Sequence, residues 1–369
     1  MGGRLFGSRT NPDSTCFPLS GTIVAVASLW LIQQNLQLPC QSVAQAHRAG
    51  AGTTESMTDT TTSGLHVILG TGPVGCWTAR ALHGFGIPVR AVNRSGHRPD
   101  MMPADVQIGA ADLSDPEQAK AATAGASVIY QALNPPYHQW HARFPALQAA
   151  ALAAAAANGA HYVSIENLYM YDASATITEN SPIKPRSRKG VLRAEMADQV
   201  MQAHQRGDVR ASALRSSDYY GPGVRLSALG EMVFGNLVAG KKAQLNGSAT
   251  QPHSFAYIED VGLAAATIGT NEKALGKTWI APHAPARTQG EMVEAASRLL
   301  GIAPRLSVIS PVMMRLAGLF IPQARASVEM MYQFMQPFVV DSSHIERELG
   351  VPATPVDTGM ERTVRWYQK

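Results

Sequence analysis

The chain has 369 residues, 45% of them apolar and only 16% charged, with a net charge of +4. A charged share below the usual ~25% excludes a solvated, disordered ensemble, and 32 Gly and 23 Pro without a period exclude collagen-like and low-complexity chains. The three cysteines, Cys16, Cys40 and Cys76, form neither a metal spacing nor a disulfide framework, which suits a reducing, cytoplasmic setting, and no basic stripe asks for nucleic acid.

Residues 1–63 differ in character from the rest. Their one apolar run, Gly21 to Ile32, is shorter than the ~20 residues of a membrane span. Arg4 and Arg9 before it and Ala44-Gln45-Ala46 after it give the layout of a secretory signal peptide. Met57 opens a short polar leader into the first strand, so residues 1–56 also read as an over-extended start. A membrane anchor is the third reading. The segment is set aside from the fold.

Leu65–Leu69 (LHVIL) is a short apolar run, as a buried parallel strand should be. Gly70-Thr71-Gly72-Pro73-Val74-Gly75 follows at once. Val74, Trp77, Ala81 and Leu82 then recur at helical spacing, with Thr78 the polar member of that face, and Pro88–Asn93 is the next strand. Strand, Gly-rich turn, helix and strand form the context that gives G-x-G-x-x-G its meaning. Gly70 permits the tight turn, Gly72 lets the backbone approach a pyrophosphate, and Gly75 lets helix and strand pack closely. The helix N-terminus offers N–H groups and a positive dipole end to phosphate.

Roughly 20 residues beyond the motif, an acid would bind the ribose 2′-hydroxyl of NAD. Asn93 stands there, followed by Arg94, Ser95 and Arg98. An Arg at that corner suits a 2′-phosphate, so NADP(H) is favoured over NAD(H).

Further strands are expected at Val106–Ile108, Ala126–Leu133 and His161–Ile165. An Ala-rich helix is expected over Pro145–Asn158, with the Pro in its first turn. The alternation predicts an α/β fold, a Rossmann-type doubly wound parallel sheet. The expected division is a leader over 1–63, a dinucleotide-binding core over 64–215, and over 216–369 a mixed region, mostly a smaller substrate lobe with chain returns to the core.

The sequence resembles the extended short-chain dehydrogenase/reductases, the NAD(P)-dependent sugar epimerases and dehydratases, over about residues 65–368. The markers are GTGPVG at 70–75, ADLSD at 111–115, QALNPPY at 131–137, NLYMYD at 167–172, ITENSPIKP at 177–185, RSSDYYGPG at 215–223, AYIEDVG at 256–262 and ERTVRWY at 361–367. The resemblance implies that Asp112, with Leu113 beside it, reaches the adenine. It implies that Ala132, Leu133 and Asn134, running to Pro135, line the cofactor cleft. RSSDYYGPG would join the two lobes, with Asp218 either a turn residue or a substrate contact.

The chain departs from that family at its chemistry. None of the ten tyrosines has a Lys four residues on, so Tyr-x-x-x-Lys is missing. By position Lys189 replaces the Tyr, Arg193 the Lys, and Asn167 the Ser or Thr. The i, i+4 spacing lets Lys189 and Arg193 face one cleft, and a neighbouring cation and burial would tune Lys189 downward toward acid–base work. KGVLR at 189–193 resembles the isoflavone-reductase-like group of atypical short-chain reductases, which implies a catalytic Lys189. Tyr169 and Tyr171 are further candidate proton donors. Lys184, Arg186, Arg188, Lys189 and Arg193 also read as a solvated charge run, or as an anchor for an anionic substrate or cofactor phosphate. Leu192, Met196, Val200 and Ala203 mark the helix's buried stripe.

The C-terminal third is rich in Met and Phe, and residues 226–247 hold only Lys241 and Lys242 as cations. That favours a substrate more apolar than a nucleotide sugar. His138, His141 and His253 lack ligand spacing, so no metal is expected, and Cys76 is expected to be a packing residue.

The leading expectation is an NADP(H)-dependent oxidoreductase of atypical short-chain type acting on a small carbonyl or enone compound. The alternatives are an NAD(P)-dependent sugar epimerase or dehydratase and a non-catalytic NADP(H)-binding redox sensor. The core is expected to be cytoplasmic and off the membrane, export through a signal peptide being the alternative. A homodimer is open to this fold.

Overall fold

The computed structural model describes residues 64–369. The readings made for residues 1–63 lie outside the described residues. Seven parallel strands form the central sheet. They are β1 (Leu65–Leu69), β2 (Val89–Asn93), β3 (Gln107–Ala110), β4 (Ala126–Gln131), β5 (His161–Asn167), β6 (Arg210–Ser216) and β7 (Thr278–Ile280), in the order β7-β6-β5-β4-β1-β2-β3.

The order reverses between β1 and β4. Open parallel sheets bind ligands at the carboxyl ends of the strands that flank such a switch, so topology alone places the cleft where Gly70 follows β1. The third strand begins one residue later than expected and runs to Ala110. The fourth stops at Gln131, and the fifth reaches Asn167.

Alternation along β1 sends Val67 and Leu69 to one face and Ile68 to the other. The Ile68 face is covered by α1 (Pro73–Gly84) and α5 (Ile258–Thr270). The opposite face is covered by α2 (Pro116–Ala122), α3 (Trp140–Asn158) and α4 (Arg188–Gln205). Asp115 caps α2 by accepting from the N–H groups of Glu117 and Gln118. Helix α3 starts five residues before Pro145, which lies inside it rather than in its first turn, and Gly159 ends it in the left-handed region at φ 61°.

The buried side of α1 is Gly75, Cys76, Thr78, Ala79 and Leu82, whereas Val74, Trp77 and Ala81 are only half-buried. The helix is packed on two sides, so a single apolar stripe does not describe it. A Cβ on Gly262 of α5 would stand 2.5 Å from the Trp77 carbonyl carbon, so glycine sets the approach of α5 to α1. Burial pushes the Cys76 thiol up to about 11, as suits a packing residue.

A third cluster of core residues belongs to the C-terminal lobe. Tyr220, Phe234, Leu245, Phe255, Met292, Val293 and Met360 pack around α6 (Gln289–Leu300) and α10 (Val356–Tyr367). Between these helices the chain forms α7 (Pro311–Ala317), α8 (Pro322–Ser327), a 3-10 segment Val328–Phe334, and α9 (Ser343–Leu349). Sheet strand β7 and helix α5 come from beyond residue 215, so the chain returns to the core layers. No helix of the described residues is long and apolar enough to cross a membrane.

Gly262→Val should push α5 off α1 and cost about 1–3 kcal/mol, the usual range for overpacking. Urea unfolding checks this, and a midpoint equal to wild type would show that the two helices have slack.

Candidate functional site

The Gly-rich turn is built by close approach. Gly70 adopts φ +105°, and a Cβ there would lie 2.8 Å from the Ala132 carbonyl oxygen. The turn thus rests on the backbone of Ala132 and Leu133, at the end of β4. A Cβ on Gly75 would come within 2.0 Å of the Gly70 carbonyl oxygen, while one on Gly72 would meet nothing within 4 Å. The open side of the turn is therefore at Gly72. Pro73 occupies the first turn of α1, and no side chain caps that helix. This fits a dinucleotide pyrophosphate: a Cβ would intrude on the open side, and the helix end is left to the phosphates.

The next corner is organised by Asn93. Its Oδ1 accepts from the N–H groups of Ser95 and Gly96, and its Nδ2 donates to Thr71 Oγ1 at 2.9 Å and to the His97 carbonyl at 2.8 Å. Asn93 is spent on its own loop and offers no carboxylate to a ribose. Thr71, Asn93, Arg94, Ser95, His97 and Pro99 line a cavity of about 490 Å³. Arg94 is exposed there, whereas Arg98 is committed to the carbonyls of Pro103 and Val106. Across the corner, Asp112 accepts from Ser114 through both Oγ and N–H. Those bonds hold its carboxyl below the usual carboxylate range. Leu113 is buried beneath, and Asn134 is exposed at the rim.

Deeper in the cleft, the hydroxyls of Tyr137 and Tyr169 lie 2.5 Å apart. Trp140 stacks on Tyr169 and donates its indole N–H to the Pro135 carbonyl at 2.8 Å. Burial pushes both phenols up, with the Asp218 charge adding in the same direction. Asn167 Oδ1 accepts from the Tyr169 N–H at 3.2 Å, so it shapes the turn that presents Tyr169.

Tyr171 does not join this pair. Its hydroxyl is held by Arg215, which is also bonded at 2.8 Å to Glu166, and both charged side chains are buried under the site. The tyrosine's own O–H points to the Glu179 carbonyl oxygen at 3.4 Å, away from the Tyr137–Tyr169 pair.

Lys189 and Arg193 are 3% and 1% exposed, which overturns the solvated-run reading for these two. Each has its own partners. Lys189 Nζ pairs with Glu329 Oε1 at 2.6 Å and donates to the Ala326 carbonyl at 2.7 Å, 5.4 Å from the centre of the Tyr137 ring. Glu329 Oε2 also accepts from the Arg188 N–H at 2.7 Å. One carboxylate thus staples the 3-10 segment to the start of α4. Arg193 lies 4.8 Å over the Phe144 ring, and its Nε finds no partner among the described residues. Gly190 is required between them, because a Cβ there would sit 2.4 Å from the Tyr169 carbonyl oxygen. Leu192, Met196, Val200 and Ala203 form the buried stripe as expected.

The structure therefore gathers Tyr137, Tyr169 and Lys189 in one place, with the glycine turn on the same edge of the sheet. Tyr137 was visible in QALNPPY but carried no assigned role. Glu329 had no sequence signal at all, standing 140 residues from its partner.

Residues 67–280 match the sequence profile described as the NAD dependent epimerase/dehydratase family. The chain belongs to that family. A search of curated proteins finds no match. Among solved structures, UDP-glucose 4-epimerase of Thermotoga maritima with UDP-glucose is similar, with TM-score 0.69 and 12% identity over 82% of this chain and 98% of that one. UDP-glucuronic acid 4-epimerase of Bacillus cereus, in complex with UDP-glucuronic acid and NAD, gives TM-score 0.67 and 16% identity over 82% and 98%. A putative epimerase of Burkholderia cenocepacia gives 0.66 and 18% over 82% and 97%. At these identities the likeness shows the fold. The family match supports an enzyme of epimerase/dehydratase type with a nicotinamide dinucleotide, and it favours that reading over carbonyl or enone reduction.

Lys189→Met should strand the Glu329 carboxylate in the cleft. Because Glu329 is 27% exposed, the expected loss is about 1–3 kcal/mol, below the full cost of a broken buried pair. Hydrogen exchange should quicken in residues 322–335. Unchanged stability and unchanged exchange together would show that the pair holds nothing.

Proposed function

We propose that this protein is a nicotinamide-dinucleotide-dependent epimerase or dehydratase acting on a hydroxyl-bearing carbon of a small molecule. The observation that carries the reading is the common edge: the open side of the Gly70–Gly75 turn and the Tyr137–Tyr169 hydroxyl pair both lie at the carboxyl ends of the β1, β4 and β5 strands. The bound dinucleotide supplies reversible hydride transfer. Gly70, Gly72 and Gly75 would hold its pyrophosphate, Asp112 its adenine, and Ala132 and Leu133 the wall behind it. Tyr137 and Tyr169 orient the substrate oxygen, and Lys189, fixed by Glu329, sets the position of the Tyr137 ring.

The UDP-sugars bound by the similar structures are the first substrates to try. Reduction of a small carbonyl or enone compound is the second reading. It is favoured by the Lys189 and Arg193 substitutions and by the apolar surroundings of Phe334, Phe338 and Met330.

The adenosine end supports NADP(H). Asn93 offers no carboxylate, and Arg94 stands exposed beside the cavity. Calorimetric titration should show tighter binding of NADPH than NADH. Arg94→Glu should weaken NADPH by a factor of ~10–100, as the loss of a charge-assisted bond implies, and leave NADH within threefold. Wild-type preference for NADH would overturn the Arg94 assignment.

A further inference from the structure

The hairpin of α7 and α8 is amphipathic in the reverse of the usual sense. Ser310 caps α7 by accepting from the Met313 N–H. Helical turns then run on past Ala317: the N–H groups of Gly318, Leu319 and Ile321 donate to the carbonyls of Met314, Leu316 and Ala317. Gly318 lets α8 cross closely, because a Cβ there would stand 2.8 Å from the Arg325 Cα. The side turned to the protein is small, with Ala317, Gly318 and Ala324 buried. The large apolar side chains face out. Val312, Leu316, Leu319 and Phe320 stand at i, i+4, i+7 and i+8, one stripe of a helix, and all are exposed, Leu319 and Phe320 at the tip by 74% and 75%. A surface helix normally turns such a stripe inward. Single exposed apolar residues are ordinary, whereas a contiguous set marks a contact surface.

The chemistry of the stripe selects its occupant. From Pro311 to Pro322, Arg315 is the only polar side chain. A protein partner would look for about one hydrogen bond per 100–200 Å² of contact, and this tip has almost none to give. Its backbone N–H groups are already bonded within the hairpin, as a lipid environment requires. The charge is of one sign. Residues 295–328 hold Arg298, Arg305, Arg315 and Arg325 and no Asp or Glu, and Arg315 and Arg325 are exposed. Helix α8 packs on the Tyr137–Gln139 turn and on the 3-10 segment Val328–Phe334. The turn has no acid, and the one acid of the segment, Glu329, is paired with Lys189. A second copy would set this patch against itself, arginine facing arginine. The apolar run Gly21 to Ile32 carries no acid to meet those arginines. An apolar stripe bordered by arginines is the pattern that lies on anionic lipid.

We propose that the α7–α8 hairpin docks this protein on an anionic membrane surface. Leu319 and Phe320 enter the boundary between headgroups and acyl chains, and Arg315 and Arg325 meet the headgroup phosphates. The contact is with one leaflet, since no helix of the described residues is long and apolar enough to cross a membrane. The expectation of a core off the membrane becomes, on this reading, a core that rests on it without crossing. The Ala326 carbonyl of α8 accepts from Lys189 Nζ, and α8 packs beside Tyr137, so docking brings the lipid surface to the outer side of the cleft wall. The docking is independent of the hydride-transfer reading.

The test is flotation of the full chain with vesicles of phosphatidylcholine alone and of phosphatidylcholine with phosphatidylglycerol in equal parts. Wild type should float with the anionic vesicles, far less with the neutral ones, and lose the anionic preference as salt screens the charges. Two double variants separate the contributions, both at exposed positions that should leave the thermal midpoint unchanged. Leu319→Ser with Phe320→Ser should weaken binding by at least about tenfold. Arg315→Gln with Arg325→Gln should weaken it by about fivefold for each arginine removed. Failure of wild type to float with either vesicle would overturn the proposal. Binding by both double variants within twofold of wild type would also overturn it, and would assign the lipid contact to another segment such as Gly21 to Ile32. A wild-type dimer in analytical ultracentrifugation that the Ser variant dissociates would overturn it in favour of a second copy on the stripe.

Discussion

The contact on which the site depends is between Gly75 and the Gly70 carbonyl oxygen. Any side chain at 75 would begin 2.0 Å from that oxygen. Only with glycine there can α1 start directly off β1. That start aims the uncapped helix end at the strand switch, and Gly70 in turn rests on the end of β4. The phosphate position, the wall at Ala132 and Leu133, and the distance to Tyr137 all follow from it.

A second constraint works from below. Glu166 and Arg215 sit on paired positions of β5 and β6 and share a buried ion pair. Arg215 also captures Tyr171, and Ser164 donates to Glu166 at 2.9 Å. Buried charge is tolerated only when so fully partnered. The effect is a stiff floor: the turn carrying Asn167 and Tyr169 leaves β5 at a fixed angle, and Gly190 lets α4 press against it. Later segments are tied to the core helices through Glu329 at the head of α4 and through the Trp77 indole of α1, which donates to the Pro222 carbonyl at 3.0 Å.

The parts legible in the sequence were local ones. LHVIL, the glycines and α1 are contiguous, so spacing and chemistry agree within thirty residues. The α4 stripe was readable for the same reason. The extent of α3 was misread because Pro145 suggests a first turn, although the helix tolerates it internally. Lys189 and Arg193 left a solvated face open beside the catalytic reading because the carboxylate that pairs with Lys189 arrives 140 residues later. Tyr171 was legible as a tyrosine near the site, but its capture by Arg215 depends on strand pairing. Asp218 meets His253 from 35 residues away, on a loop and a two-residue strand, where no periodicity marks the contact. Local chemistry shows which groups exist; only tertiary contact shows which are already spoken for.

The central claim is that the Gly70–Gly75 turn is a working dinucleotide site. The most direct measurement is thermal unfolding of the full chain with NADPH, NADP⁺, NADH and NAD⁺ in turn. Ligand at ~100 times its dissociation constant adds about 2.7 kcal/mol, a rise of a few degrees for a chain of this size. The account predicts that rise with at least one of the four, and its loss in Gly75→Val. A midpoint that none of them moves would contradict it.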